Sequence, residues 1–208
     1  MNTNTVTFIW LALGAFLLGA IPFSVWLGRL FLKKDIRNYG DGNPGAANVF
    51  RAGSVLIGTL AVILDIGKGV PFVVLSQRPY HLPEVAVLGV GLAAILGHAF
   101  SPLLGFKGGK ALAVTAGVII GLLNAELFFA FFLPALVAFL VLDSRAWLVV
   151  LSPLCTVIFL VASRASTWEI LFMMCVLALF TFKHAKEIHS PPRLKPRLMN
   201  WSVTGRQP

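Results

Sequence analysis

Long apolar stretches alternate with short polar or Gly/Pro-rich stretches along almost the whole chain. A bilayer core about 30 Å thick requires roughly 20 apolar residues per helix, so such stretches are typical of membrane-spanning helices. The pattern predicts an all-α integral membrane protein with about seven transmembrane helices. The predicted segments are residues 7–31, 54–76, 85–104, 111–123, 125–142, 146–162 and 168–182.

The stretch from Ala111 to Leu142 is assigned to two of these segments because of its length. As a single helix it would be about 48 Å long, which exceeds the hydrocarbon core. Asn124 and Glu126 form a polar midpoint. Two short helices joined by a tight turn are therefore predicted.

Composition agrees with a membrane protein. Of the 208 residues, 58% are hydrophobic and 12% are charged, and the mean hydropathy is +0.87. That leaves too little polar surface for a water-soluble globule. We expect one polytopic transmembrane domain over residues 1–182 and a basic tail over residues 183–208.

The distribution of charge predicts the topology. Seventeen Lys and Arg residues against eight Asp and Glu residues give a net charge of +9. With seven spans and an external N-terminus, thirteen basic residues lie on one side and only Arg78 and Arg164 on the other. Basic residues concentrate on the cytoplasmic side of membrane proteins, so the C-terminus and three polar segments are predicted to be cytoplasmic.

The first polar segment has three glycines, two asparagines and an arginine between Gly40 and Arg51. Glycines let backbone N–H groups turn towards one point, and a guanidinium can bind phosphate through two donors. The segment thus predicts an anion site, with an interfacial turn as the alternative. The candidate residues are Asn43, Gly45, Asn48 and Arg51.

The second polar segment places a Gly-Gly pair between two lysines, from Lys107 through Gly108 and Gly109 to Lys110, directly before an apolar helix. Backbone N–H groups, the positive helix end and the ammonium groups would favour a phosphate dianion. The segment lacks the spacing of a nucleotide-binding P-loop. A basic loop held at the lipid headgroups is the alternative.

Other ionisable residues lie within or beside the apolar segments. Asp65 and Lys68 are three residues apart, so they share a helix face and can neutralise each other as a structural ion pair. Beyond the last segment, His184 could complete an anion site or anchor the helix end. The scattered histidines and two cysteines predict no metal site.

Together these segments resemble the acyl-phosphate:glycerol-3-phosphate acyltransferases, the PlsY family of integral membrane enzymes. The resemblance implies acyl transfer from an acyl phosphate to the sn-1 hydroxyl of glycerol 3-phosphate, forming lysophosphatidic acid at the cytoplasmic face of the bacterial inner membrane. It implies no cofactor and no nucleic-acid partner, and it leaves the oligomeric state open. The matching stretches are Gly19–Phe23, Asp35–Arg37, Gly40–Arg51, Leu64–Gly69 and Gly97–Lys110.

The resemblance also implies roles for individual residues. Arg51 would bind phosphate in the first motif, with Asn43 and Asn48 shaping its loop. Lys107–Lys110 would form the phosphate loop of the second motif, and His98 would close the turn before it. Asp65, Lys68 and His98 are assigned as structural support.

The chain departs from the family pattern at several of these positions. The family usually has serine at Asp41 and glycine at Ala111, and asparagine at Glu187 in the third motif, whose histidine is His184. Asp41 and Glu187 would repel a phosphate dianion unless they are protonated or paired. The candidate catalytic residues are Asp41, Arg51, His184 and Glu187.

These departures keep alternatives open. A divergent paralogue could acylate a neutral or amine-bearing acceptor, and a pseudoenzyme could bind acyl phosphate without turnover. A small-solute transporter using Asp65 and Lys68 is the alternative from another class, although no broken-helix pair is evident in both halves of the sequence.

Overall fold

The structure, a computed structural model, describes residues 3–189 and 191–195, which form ten α-helices and no named strand. Two short 3₁₀ helices, Ile36–Asn38 and Pro102–Leu104, lie in the polar segments. Of the predicted tail, residues 190 and 196–208 lie outside the described part. The helices are α1 (Thr3–Ala20), α2 (Phe23–Phe31), α3 (Ala46–Arg51), α4 (Val55–Gly67), α5 (Pro71–Gln77), α6 (Glu84–Ala99), α7 (Leu112–Leu122), α8 (Ala125–Val141), α9 (Arg145–Ala162) and α10 (Thr167–Lys183).

The chain divides into two compact units, Met1–Asn124 and Ala125–Pro208. In the first unit, α1 packs along α6, while α4 contacts α2, α3 and α7. In the second unit, α9 contacts both α8 and α10. The first two motifs belong to the first unit, whereas His184 and Glu187 belong to the second.

Each predicted apolar segment contains helix, but two of the segments are broken. The segment 7–31 is divided into α1 and α2 at Pro22, which has no backbone N–H to continue the helical hydrogen bonds. The segment 54–76 is divided into α4 and α5 just before Pro71. At the second break, backbone hydrogen bonds of a turn connect the two helices. At the first break, other parts of the unit bind the backbone carbonyl groups.

In the part of the chain that the structure describes, three helical stretches are long and apolar enough to cross a membrane, namely Thr3–Phe31, Val55–Gln77 and Glu84–Leu104. Shorter apolar helices follow them, and the predicted division near Asn124 is observed between α7 and α8. The count of seven spans stays a prediction.

Buried side chains bind the carbonyl groups at the first break. The hydroxyl of Ser101 donates to the carbonyl oxygen of Ala20 at 2.5 Å. The ammonium group of Lys68 donates to the carbonyl oxygen of Ile21 at 2.8 Å. An unsatisfied carbonyl in an apolar environment costs several kcal/mol, so these contacts make the break tolerable.

A similar compensation occurs in the second unit, where Pro134 lies inside α8. Proline cannot donate to the carbonyl four residues earlier, which here belongs to Ala130. The hydroxyl of Thr156 in α9 donates to that oxygen at 2.9 Å. The contact between α8 and α9 therefore includes a hydrogen bond that replaces the missing helical one.

Glycines bring the backbones of α1 and α6 close together. A Cβ atom at Gly97 would overlap the carbonyl oxygen of Phe16, and one at Gly19 would overlap that of Ala94. Small residues allow such approach between helices in membranes. The end of α6, which leads into the second motif, is thereby held beside the end of α1.

We expect Gly97→Ala to destabilise the protein, because the added methyl group overlaps backbone. Overpacking of this kind costs about 1–3 kcal/mol, which would lower the Tm of the purified protein in detergent. Gly67→Ala is the matched control, since a Cβ atom there meets nothing within 4 Å. Equal Tm values for the two variants would show that α1 and α6 separate without cost.

Candidate active site

The first motif folds into a loop whose glycines allow its polar side chains to converge. Gly40 has φ of +58° and Gly42 has φ of +72°, in the left-handed region that favours glycine. A Cβ atom at Gly40 would overlap the guanidinium of Arg51 and crowd the side chain of Asn48. Glycine at this position therefore lets Arg51 reach back across the loop from the end of α3.

Asp41 is the centre of the polar cluster. Its Oδ1 accepts hydrogen bonds from the backbone N–H of Asn43 at 3.2 Å and from Asn48 Nδ2 at 3.0 Å. The guanidinium of Arg51 lies 3.6 Å from the same oxygen. Lys110 Nζ lies 2.7 Å from Oδ2. The carboxylate therefore joins the first motif to the second.

Asn48 fixes the position of Arg51 in this cluster. Its side chain is fully buried and also donates to the carbonyl oxygen of Asn43 at 2.9 Å. Its Oδ1 accepts a hydrogen bond from Arg51 Nη1 at 2.7 Å. Asn48 thus shapes the loop, as the resemblance implies, and also orients the guanidinium.

The surroundings of Asp41 keep it ionised. Partial burial raises the pKa of this carboxyl, but the Lys110 ammonium and the N–H donors of Asn43 and Asn48 outweigh that effect and lower the pKa from 3.8 to about 2. Because the pKa is depressed, the ion pair is complete at neutral pH and is lost only as the pH falls through about 2.

The glycine pair of the second motif packs against the end of α6. The N–H of Gly109 donates to the carbonyl oxygen of His98 at 3.0 Å. A Cβ atom at Gly109 would overlap the imidazole of His98, and one at Gly108 would overlap the His98 carbonyl oxygen. The N–H of Gly109 is therefore engaged within the protein, which differs from the open anion cradle predicted from the sequence.

The two lysines of the second motif have different surroundings. Lys107 is exposed at the surface. Lys110 is directed towards the first motif by its ion pair with Asp41. The structure therefore brings Lys110, and not Lys107, into the cluster with Asp41 and Arg51.

A buried polar cluster lies below the two motifs. Lys68 Nζ is 2.8 Å from Asp65 Oδ1, and the two side chains are only 1% and 4% exposed. The hydroxyl of Ser24 donates to Asp65 Oδ2 at 3.0 Å, and His98 Nδ1 lies 3.9 Å from Oδ1. The structure thus contains the ion pair expected from the spacing of Asp65 and Lys68. Since an isolated buried charge is costly, each member stabilises the other.

A cavity of about 10 Å³ separates this buried cluster from the motif loops. That volume is close to the smallest that holds one water molecule. Pro44 of the first motif and Gly109 of the second line it together with Asp65, Lys68 and His98. Both loops therefore border the same small cavity as the buried cluster.

Comparison with known sequences shows to which family the chain belongs. The family described as Glycerol-3-phosphate acyltransferase matches residues 9–191. The chain is 34% identical to a glycerol-3-phosphate acyltransferase of Streptococcus sanguinis over 91% of this chain and 90% of that protein. It is 35% identical to one of Listeria monocytogenes over 88% of this chain and 92% of that protein. The chain belongs to the glycerol-3-phosphate acyltransferase family.

Solved structures of PlsY, an integral membrane glycerol 3-phosphate acyltransferase, have a similar fold. The TM-score is 0.78 at 27% identity for the glycerol 3-phosphate form, and 0.75 at 26% identity for the lysophosphatidic acid form. Each comparison covers 97% of this chain and 94% of the other. The predicted family, an all-helical membrane fold and acyltransferase activity are confirmed. None of these relatives favours a different acceptor, loss of activity or transport.

The third motif of this family member lies at the end of α10 in the second unit. His184 is buried there, with Nδ1 3.0 Å from the carbonyl oxygen of Phe180. Glu187 is exposed, and its N–H donates to the carbonyl oxygen of His184 at 2.8 Å. The catalytic roles assigned to His184 and Glu187 stay predictions.

Ser24 and Ser101 were missed by the sequence analysis, although both make buried hydrogen bonds in the first unit. A lone serine in an apolar helix most often bonds its own backbone, so its type alone carries little information. The useful signal was Pro22, because a proline inside an apolar run leaves carbonyl groups that need donors from elsewhere.

We expect Lys68→Met to destabilise the protein strongly, because it leaves the buried Asp65 carboxylate without its cation. Removing one partner of a buried ion pair costs about 3–5 kcal/mol, measured as a lower Tm in detergent. Asp65→Asn should also destabilise the protein. The double variant should lose less stability than the sum of the losses in the two single variants.

Asp35→Asn is the matched control for this pair. It breaks contacts with Arg29 and Arg37, whose side chains are 56% and 40% exposed, so it should cost about 1 kcal/mol or less. If the stability losses of the Asp65 and Lys68 single variants simply add in the double variant, the two side chains do not stabilise each other.

Proposed function

We propose that this protein transfers a fatty acyl group from an acyl phosphate to the sn-1 hydroxyl of glycerol 3-phosphate, releasing lysophosphatidic acid and inorganic phosphate. The observation that carries the proposal is the meeting of Arg51 and Lys110 around Asp41, although Lys110 is 69 residues from Asp41 in sequence. Both substrates carry phosphate groups, and adjacent guanidinium and ammonium groups are suited to bind them. The glycerol 3-phosphate form of the related PlsY supports the same acceptor here.

Positioning can supply much of the rate of this reaction. The acceptor hydroxyl oxygen attacks the acyl carbonyl carbon, and the bond from that carbon to the phosphate oxygen breaks. Phosphate leaves with the electron pair and takes up the proton of the hydroxyl group. Because the donor already carries a good leaving group, a strong protein base is dispensable. The main task of the protein is to bring two phosphorylated molecules together despite their mutual repulsion.

Arg51 and Lys110 have distinct parts in that task. The guanidinium of Arg51, held by Asn48, presents planar donors that can engage two phosphate oxygens. The ammonium of Lys110 is a compact charge on a flexible stem, suited to follow the charge that develops on the leaving phosphate. Lys107 would add a third positive charge at the rim.

We place the protein in the bacterial inner membrane. We infer seven spans, an external N-terminus and a basic cytoplasmic tail over residues 183–208, with the motif loops on the cytoplasmic face. The charge bias of thirteen basic residues against two supports this orientation.

Lys110→Ala should reduce lysophosphatidic acid formation from acyl phosphate and glycerol 3-phosphate in vesicles. Loss of a charged group that stabilises the leaving oxygen should lower kcat/KM by about 100-fold. Lys195→Ala is the control, because its side chain binds the carbonyl oxygen of Phe139 in the second unit, and it should behave as the parent. Equal losses of kcat/KM in the two variants would contradict a role of Lys110 in the active site. Preferential acylation of glycerol or ethanolamine would contradict the proposal that glycerol 3-phosphate is the acceptor.

Labelling of single cysteines tests the orientation. In a background with Cys155 and Cys175 replaced by alanine, Asn38→Cys and Leu103→Cys should react with an impermeant reagent only from the cytoplasmic side. Tyr80→Cys should react only from the opposite side. All three positions are exposed in the structure. Opposite accessibility of positions 38 and 103 would refute a site shared by the first two motifs.

A further inference from the structure

Asp41 places a negative charge at the centre of a site that has to receive phosphate groups. Its two oxygens are bound by four groups that could bind an oxyanion: the backbone N–H of Asn43, Asn48 Nδ2, the guanidinium of Arg51 and the ammonium of Lys110. The carboxylate therefore occupies donors that a phosphate group would use.

We propose that the Asp41 carboxylate competes internally with phosphate, so that a phosphate group binds Lys110 only by displacing it. This inference rests on the proposed function, because it concerns the phosphate groups of those substrates. Competition would weaken the binding of phosphorylated molecules, and it would favour departure of the inorganic phosphate formed in each turnover.

The geometry of the ion pair allows such an exchange. The Lys110 and Asp41 side chains are 22% and 36% exposed, in contrast to the buried pair of Asp65 and Lys68. Partly exposed ion pairs contribute little net stability, so an incoming dianion can replace the carboxylate at modest cost. The exchange therefore needs no rearrangement of the buried cluster.

The backbone on each side of Asp41 also favours its movement. Gly40 and Gly42 flank it, and glycine reaches many backbone conformations at little steric cost. Arg51 has a separate hydrogen bond to Asn48, and the Asn48 side chain is also bound to the carbonyl oxygen of Asn43. When the carboxylate moves away, Arg51 would therefore stay in place to bind the phosphate with Lys110.

Asp41→Asn tests the competition, because the amide keeps the size of the side chain and one acceptor oxygen but removes the charge. The measurement is binding of inorganic phosphate to the purified protein in detergent by isothermal titration calorimetry. We expect the Kd of the variant to be about two- to fivefold lower than that of the parent, as for loss of one partly exposed ion pair. The difference should shrink at high salt, because screening weakens exposed ion pairs.

Two further variants separate charge from other effects. Asp41→Glu keeps the competing charge, so its Kd for phosphate should stay close to that of the parent. Asp35→Asn removes a charge from the same loop. Because Asp35 forms its ion pairs with Arg29 and Arg37, this substitution should also leave the Kd for phosphate nearly unchanged. A similar gain in all three variants would overturn the proposal, since loop charge in general would then explain it.

Other results for the charge-removing variants would overturn the proposed competition. An unchanged or higher Kd in folded Asp41→Asn would show that the carboxylate only anchors the loop. Asp41→Ser serves as a second charge-removing variant, and failure of both variants to fold would overturn the proposal, because a displaceable group cannot be essential to the fold. Phosphate binding requires no turnover, so the two proposals can fail separately. If the protein shows no acyl transfer but Asp41→Asn binds phosphate more tightly than the parent, the proposed function is rejected and the competition between Asp41 and phosphate is supported.

Discussion

The break between α1 and α2 imposes a requirement that the rest of the first unit meets. Pro22 interrupts an apolar stretch, so the carbonyl groups of Ala20 and Ile21 lie at a break between two helices. Ser101 and Lys68 donate to those groups, and the ammonium of Lys68 in turn requires the carboxylate of Asp65. The broken helix, the buried ion pair and the position of the α6 end therefore depend on one another. Because protein side chains occupy these backbone groups, the broken helices do not by themselves indicate a transport pathway.

The same requirement positions the groups that we propose to bind phosphate. His98 lies beside Asp65 on one side, and its carbonyl oxygen receives the N–H of Gly109 on the other. Lys110 is the next residue and forms the ion pair with Asp41. A continuous series of contacts thus connects the buried pair to the partly exposed one. The buried pair is fixed by the cost of separating its charges, whereas the pair of Asp41 and Lys110 is partly exposed and costs less to separate.

The sequence predicted the parts of this arrangement that depend on local pattern. The lengths of the apolar stretches predicted the helical segments, and the polar residue Asn124 predicted a helix end. The three-residue spacing of Asp65 and Lys68 predicted their ion pair. The break at Pro22 was not predicted, because a proline in a long apolar run is also compatible with a kinked continuous helix. The packing of Gly109 on His98 was missed because it depends on a contact that only the folded chain creates.

Two departures from the family pattern act on the same lysine. Ala111, where the resemblance implies glycine, has φ of +63° and is buried. A side chain in this region costs roughly 1 kcal/mol or more, but alanine also leaves the backbone after Lys110 with fewer alternative conformations than glycine would. Asp41, where the resemblance implies serine, holds the ammonium end of Lys110. The Lys110 side chain is therefore constrained both at its backbone, by Ala111, and at its ammonium group, by Asp41.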